Sequence, residues 1–135
     1  MRLIVQCAAF AAVMAGPAQA ATFKAENGVR VVPVSGGFSV TGDAGLGARG
    51  MWCAAADYAR SRAGAGNAQR LYIAQGRTPG IGQRGAIVFT LNAAGLTPSS
   101  VTILGASLKK AGANLSVGHA YGFCADSKLV TDGDR

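Results

Sequence analysis

The stretch GMWCAAADYARSRA, residues 50–63, is the clearest helix signal in the chain, and the rest of the fold is organised around it. At 100° per residue, Trp52, Ala55 and Ala59 fall on one side of this helix, while Asp57 lies opposite. One large residue among alanines makes a thin apolar face, which allows a helix to lie close to a sheet. We therefore predict a helix that packs on a β-sheet.

Apolar runs bounded by turn residues predict the strands of that sheet. Two strands precede the helix, over 29–34 and 38–41, and Ser35-Gly36-Gly37 joins them as a hairpin turn. Two further hairpins follow it, with strands over 70–75, 86–91, 100–108 and 114–124. The chain is thus predicted to be an α+β domain, with one helix packed on an antiparallel sheet of about five to six strands in the order β-β-α-β-β-β-β.

Two features bear on the faces of this sheet. The runs 70–75 and 86–91 lack clean alternation, which indicates central strands covered at least in part on both faces. A single helix would leave the opposite face of the sheet open, exposing part of Tyr121 and Phe123. A homodimer or a cell-envelope partner would then cover it, unless the Gly-rich loops do so.

The first twenty residues predict a secretory signal peptide. Arg2 precedes an apolar stretch over 3–14, and Ala18-Gln19-Ala20 has the small-x-small pattern that signal peptidase cleaves. No later run is long and apolar enough for a membrane span, so we expect no transmembrane span in the mature chain. The protein is expected to be periplasmic or extracellular.

The remaining residues predict one domain and a short tail. Residues 21–124 are expected to form a single α+β domain, because 115 residues are too few for two. Residues 125–135 form a polar C-terminal tail that we expect to fray.

The two cysteines of the mature chain, Cys53 and Cys124, predict one disulfide, since an even count in an exported chain is typical of a bridge. The third, Cys7, lies within the predicted signal peptide. In the chain-entropy model, a bridge across 71 positions removes about 4 kcal/mol of unfolded-state freedom.

The charge is basic. The full chain carries +7, and removal of Arg2 leaves twelve Lys and Arg against six Asp and Glu, or +6. The charges are scattered, which favours a solvated surface over a nucleic-acid interface, although an anionic envelope component remains a candidate partner. Arg77 and Arg84 flank the Gly-rich hairpin loop 76–85, where exposed amides would suit an anion. Alternatively, the loop 76–85 is a hairpin tip whose two arginines only increase solubility.

A catalytic hypothesis rests on Trp52-Cys53 and Gly118-His119. A cysteine that opens a helix, followed by antiparallel strands carrying a histidine, resembles the papain-like cell-wall hydrolases, including CHAP-type amidases. The resemblance implies Cys53 as nucleophile and His119 as base, acting on peptidoglycan peptides or amides.

Two observations weigh against that hypothesis. Cys124 offers Cys53 a disulfide partner, which would remove the nucleophile. Positions 119 and 124 also have opposite parity, so in a regular strand a Cys124 facing the helix would turn His119 away. A bulge at Gly122 would restore the parity.

No other residue pattern predicts catalysis. One mature histidine and dispersed acids have no metal-ligand spacing, and neither a phosphate-binding nor a dinucleotide fingerprint occurs, so we expect no metal and no cofactor. The favoured function is a non-enzymatic exported binding or structural protein. The alternatives are the cysteine amidase or peptidase, and a basic anion or nucleic-acid binder.

Overall fold

The computed structural model describes residues 21–78 and 85–132. The predicted signal peptide over 1–20 and the middle of the loop that carries Arg84 lie outside the described residues. The described chain forms seven strands and four helices, in the following order: β1 (Phe23–Lys24), β2 (Arg30–Val34), β3 (Gly37–Thr41), α1 (Ala48–Ser61), β4 (Arg70–Gln75), β5 (Ile87–Thr90), β6 (Ser99–Ser100), α2 (Leu104–Ser107), β7 (Ala113–Ser116), α3 (Val117–Gly122) and α4 (Cys124–Asp132).

All seven strands belong to one sheet, in the order β1-β2-β3-β5-β4-β7-β6. The predicted α+β architecture with a helix on a sheet is confirmed. So are the hairpins β2–β3 and β4–β5, which pair antiparallel. Gly36 makes the first turn possible because its φ is 78°, a value that glycine adopts without strain. The strand count exceeds the predicted five to six.

The third predicted hairpin is wrong. In place of the predicted strands over 100–108 and 114–124, the structure has two short strands, Ser99–Ser100 and Ala113–Ser116. These two strands pair in parallel. Parallel neighbours need a crossover of about a dozen residues, and here residues 101–112, which include α2, supply it. The sheet is therefore mixed rather than antiparallel.

The predicted strand over 114–124 ends early because Ser116 caps a helix. Its side chain accepts a hydrogen bond from the backbone N–H of His119 at 3.1 Å, the usual arrangement at a helix start. Helix α3 follows at once, so His119 and Tyr121 lie on a helix and Phe123 caps its end. The expectation that Tyr121 and Phe123 lie on the open sheet face is wrong.

The C-terminal segment is also more regular than predicted. Helix α4 covers Cys124–Asp132, where the sequence predicted a fraying polar tail from residue 125. It is attached to α1 by an ion pair between Arg49 and Asp126 at 3.0 Å and by the disulfide of Cys124. The single predicted helix is thus one of four.

Helix α1 lies between the sheet and the C-terminal helices. Ala55 and Ala59 are fully buried, as the thin apolar face predicts. Trp52 is also fully buried, and its ring meets that of Phe89 edge to face at 5.0 Å. The Trp52 indole N–H donates to Ser107 Oγ at 3.0 Å, so the one polar atom of this core side chain is satisfied.

Gly50 shows how closely the chain packs at the start of α1. A Cβ at this position would meet the backbone oxygen of Asp43 and lie 2.7 Å from its carbonyl carbon. The loop before the helix therefore folds back directly onto the first helical turn.

Gly50→Ala is expected to lower the free energy of unfolding by about 1–3 kcal/mol, because the methyl group overpacks against fixed backbone. In an open helix the same change would stabilise by about 1 kcal/mol. Gly122→Ala is the matched control, since nothing lies within 4 Å of its added Cβ. Urea unfolding of both variants tests this, and equal stabilisation by the two changes would contradict the close packing.

Candidate functional site

The Cys53–Cys124 disulfide joins α1 to the start of α4, as the sequence predicted. The two Cα atoms are 5.0 Å apart, and the side chains are only 1% and 2% exposed. A sulfur in a disulfide carries no thiolate, so in this state Cys53 has no nucleophile to offer.

His119, the proposed base of the cysteine hydrolase, lies exposed on α3. Its ring centroid is 5.4 Å from that of Phe123. The prediction that His119 and Cys124 point to opposite sides required one regular strand over 114–124. It is wrong because residues 117–122 are helical. The bonded sulfur of Cys53, rather than strand parity, is the observation that weighs against this chemistry.

Arg77, one of the two predicted anion-contact residues, packs inward. Its Nη2 lies 3.3 Å from the sulfur of Met51, and its backbone N–H donates to the Leu108 carbonyl at 2.6 Å. The Nε atom is buried and has no hydrogen-bond partner within the described part of the chain. Arg84, the other member of the pair, lies outside the described residues.

Among residues 21–78 and 85–132, the helices pack on the α1 side of the sheet, and the face that points away from α1 has no helix on it. On β2 and β4 burial alternates, with Val31, Leu71 and Ile73 buried against the helix layer. Their neighbours Val32 and Tyr72 point to the opposite side, where Val32 is 36% exposed. Exposure on this side is uneven: Tyr72 and Val88 on the central strands are half-buried and Thr90 is only 5% exposed, so these strands are covered in part on both faces, as the sequence predicted.

Side chains of this open face form rows across the sheet, because the strand register places them side by side. One row contains Val32, Ser39 and Val88, which pair across β2, β3 and β5. Another contains Thr90, Tyr72 and Asn114, which pair across β5, β4 and β7. We call the outward side chains of the strands the open sheet face; they are Lys24, Arg30, Val32, Val34, Ser39, Thr41, Arg70, Tyr72, Val88, Thr90, Ser100, Asn114 and Ser116.

The charges of this face have one sign. The seven strands contain Lys24, Arg30 and Arg70, and no Asp or Glu. Alternation puts all three cations on the outward side, since the neighbouring Phe23, Val31 and Leu71 pack on the core. The open sheet face is therefore positive, with exposed valines between its cations.

Arg70 is held in a fixed orientation on this face. Its Nε and Nη2 both donate to Asn114 Oδ1, at 2.9 and 2.7 Å. The amide nitrogen of Asn114 donates in turn to the carbonyls of Ser99 and Gly112, at 3.1 and 3.0 Å. Asn114 is only 8% exposed, so a buried and fully bonded amide positions the guanidinium.

The described acidic side chains lie on loops and helices, and Glu26, Asp57 and Asp126 have partners there. Asp57 accepts from the Glu26 backbone and from Ser61, and Asp126 pairs with Arg49. The Glu26 carboxylate accepts from the hydroxyl of Tyr121 at 2.6 Å. The guanidinium of Arg60 also lies over the ring of Tyr121, with its Cζ 3.9 Å from the ring centroid. The acidic side chains with known partners thus lie on the helices and loops rather than on the strands.

The hydrogen bond to Glu26 raises the pKa of Tyr121 above its ordinary value of 10.0, and burial adds to this effect. Because the folded-state pKa is raised, the bond stabilises the fold below pH 10.0, and this contribution is lost as the pH rises through the folded-state pKa. We expect Glu26→Ala to lower the pKa of Tyr121, as measured by ultraviolet titration against a Tyr121→Phe reference. Asp43→Ala is the control acid, and equal pKa values in the two alanine variants would contradict the role of Glu26.

Comparison with protein-family models, with curated proteins and with solved structures returns no match for this chain. Across residues 21–78 and 85–132, no helix has the length and apolar character needed to cross a bilayer. Within the same residues, no three or more His, Cys, Asp or Glu side chains are grouped to hold a metal ion.

Sequence reasoning did not identify Arg70, Tyr72 and Asn114 as site residues. Alternation is not clean over 70–75 as a whole because Ala74 follows Ile73, but the four residues Arg70-Leu71-Tyr72-Ile73 do alternate polar and apolar, which is typical of a strand with one face exposed. The contact of Arg70 with Asn114, however, spans 44 positions and depends on the pairing of β4 with β7.

Proposed function

We propose that this protein is a small, exported, non-enzymatic binding protein whose ligand contacts the open sheet face. The observation that carries the proposal is the uncovered side of the sheet, where strand cations lie among exposed valines. Val32 is 36% and Val34 40% exposed, on strands whose other face is a closed core. Apolar side chains clustered on an ordered surface usually mark a site of interaction.

Export is supported by the predicted signal peptide and by the Cys53–Cys124 bridge. A disulfide is compatible with a periplasmic or extracellular location, because thiols stay reduced in the cytosol. The bridge fixes α1 against α4 behind the sheet, so it keeps the sheet rigid without occupying its open face.

Site-specific photocrosslinking in the producing cells tests the location of the binding surface. A benzoylphenylalanine at Val32 samples the open sheet face, and one at Ser61, exposed on α1, samples the helix side. We expect a discrete adduct from position 32 only, and we expect Val34→Glu in the same chain to diminish it. Adducts of equal yield from both positions, or none from position 32, would refute the proposal.

A further inference from the structure

We propose that Arg70 is an anion-binding residue of the open sheet face and that it takes a carboxylate from an acidic, apolar polypeptide surface. This inference rests on the proposed function and assigns the chemistry of the partner. Arg70 is the cation that carries it, because its guanidinium is held in place by Asn114 and has no ion-pair partner within the described residues.

The guanidinium of Arg70 is prepared for such a contact. Its Nε and Nη2 are bonded to Asn114, whereas its Nη1 makes no hydrogen bond within residues 21–78 and 85–132. No acidic side chain in that part of the chain forms an ion pair with Arg70, since the ion pair found there joins Arg49 to Asp126. A side chain already fixed by two hydrogen bonds loses little rotamer entropy on binding, which favours a charge-assisted bond to an incoming anion.

The surroundings of Arg70 indicate what carries the anion. Tyr72 lies two residues along the same outward row of β4, and Thr90 pairs with it on β5. Beyond them, Val88 and Val32 are half-buried or exposed. Thr90 itself is buried and its hydroxyl accepts from the Asn92 N–H, so a ligand that reaches Arg70 along this face meets the half-buried ring of Tyr72 and the side chain of Val88, which suits apolar groups next to the carboxylate.

The spacing of the cations argues against a nucleic acid or another regular polyanion. Arg30 and Arg70 lie on β2 and β4, three strand positions apart in the sheet order. The interstrand spacing alone separates them by about 14 Å across the sheet, which already exceeds the Debye length of about 8 Å at physiological salt. A polyanion backbone is bound by closely spaced cations, whereas one isolated guanidinium beside Tyr72 and Val88 suits a single carboxylate.

The charges also argue against a second copy of this chain bound face to face. The strands contain no acidic residue, so the open sheet face of another copy has no carboxylate for Arg70. Two such faces would bring cations together. Charge complementarity therefore calls for a different, acidic partner.

A pair of matched peptides tests this assignment. The probe is a short peptide of alternating valine and glutamate with blocked ends, and its control has glutamine in place of each glutamate. In titrations followed by ¹⁵N NMR at low salt, we expect the glutamate peptide to bind at about 1 mM or tighter. The shift changes should centre on Arg70, Tyr72 and Val88, and the glutamine peptide should bind at least fivefold more weakly.

Variants separate the role of Arg70 from that of charge in general. Arg70→Gln should weaken binding of the glutamate peptide by about tenfold, as expected for loss of a charge-assisted hydrogen bond. Arg70→Lys keeps the charge but loses the paired hydrogen bonds from Nε and Nη2 to Asn114, and should weaken peptide binding by an intermediate factor. Arg30→Gln removes the same charge from the same face and should change the affinity by less than about twofold. Circular dichroism of each variant checks that it is folded.

Three results would overturn the inference: no binding of the glutamate peptide at millimolar concentration, equal affinities for wild type and Arg70→Gln, or tighter binding of an oligothymidylate than of the peptide. Crosslinking from position 32 that persists in the Arg70→Gln chain would leave the proposed function intact while removing Arg70 from it. Adducts of equal yield from positions 32 and 61, or no adduct from position 32, would instead refute the proposed function itself.

Discussion

Replacing Cys53 and Cys124 together with alanine is expected to lower the free energy of unfolding by about 4 kcal/mol. The bridge closes a loop of 71 positions, and its removal restores the freedom of that loop in the unfolded chain. It also loosens α4, which is then held to α1 by the exposed Arg49–Asp126 ion pair. Such an exposed pair contributes little to the free energy of unfolding. Urea unfolding at equal protein concentration measures the difference.

Reduction of the wild-type protein provides the control for this prediction. Dithiothreitol should lower the stability of the wild type to about that of the double variant and leave the double variant unchanged. A loss below about 1 kcal/mol would mean that the bridge does not constrain the unfolded chain as the loop length implies.

Trp52→Ala is expected to cost about 3–5 kcal/mol, the range for a large side chain deleted from a core. Trp52 is fully buried between α1 and the sheet, where its ring packs against Phe89. Its alanine neighbours Ala55 and Ala59 have no side chain long enough to fill the space. Since domains of this size are stable by about 5–15 kcal/mol, this loss is a large fraction of the total, and the variant should unfold at a much lower urea concentration than the wild type.

Two milder variants separate packing from hydrogen bonding at this position. Ser107→Ala removes the acceptor of the Trp52 indole N–H and should cost about 1–3 kcal/mol, because a buried donor is left without a partner. Trp52→Phe keeps most of the packing and should cost less than Trp52→Ala. A Trp52→Ala variant as stable as the wild type would contradict the placement of this residue at the centre of the core.

The parts of the fold predicted correctly depend on short-range signals. The hairpin of β2 and β3 follows from β-branched runs around Ser35-Gly36-Gly37, and the positive φ of Gly36 is the conformation that glycine favours there. Helix α1 follows from its alanine-rich periodicity. Both elements would be stabilised by their local sequence in almost any context.

The segment over 100–124 was predicted wrongly because long-range packing decides its structure. Alternating Val101 and Ile103 indicate a strand, and Gly118 and Gly122 are poor helix formers. A helix as short as α3 gains little stability by itself. It forms where Ser116 caps it and where α1 offers a surface to pack on, and only the cap is visible in the sequence.

The candidate site illustrates the same division. The outward position of Tyr72 follows from the alternation of β4, which the sequence contains. The orientation of the Arg70 guanidinium depends on Asn114 of β7. In the sheet, β4 is followed by β7, and β6 lies beyond β7 although it precedes β7 in the chain. No local pattern of residues predicts that pairing.

Cys53 is a structural residue of the Cys53–Cys124 bridge rather than a nucleophile, and this role favours the proposed binding function over the cysteine hydrolase. The most direct test is to count free thiols in the denatured, unreduced protein recovered from the cells that export it, with its mass measured on the same sample. The account predicts no free thiol in a chain that begins at Ala21. Two free thiols in that chain would contradict it and restore Cys53 as a candidate nucleophile.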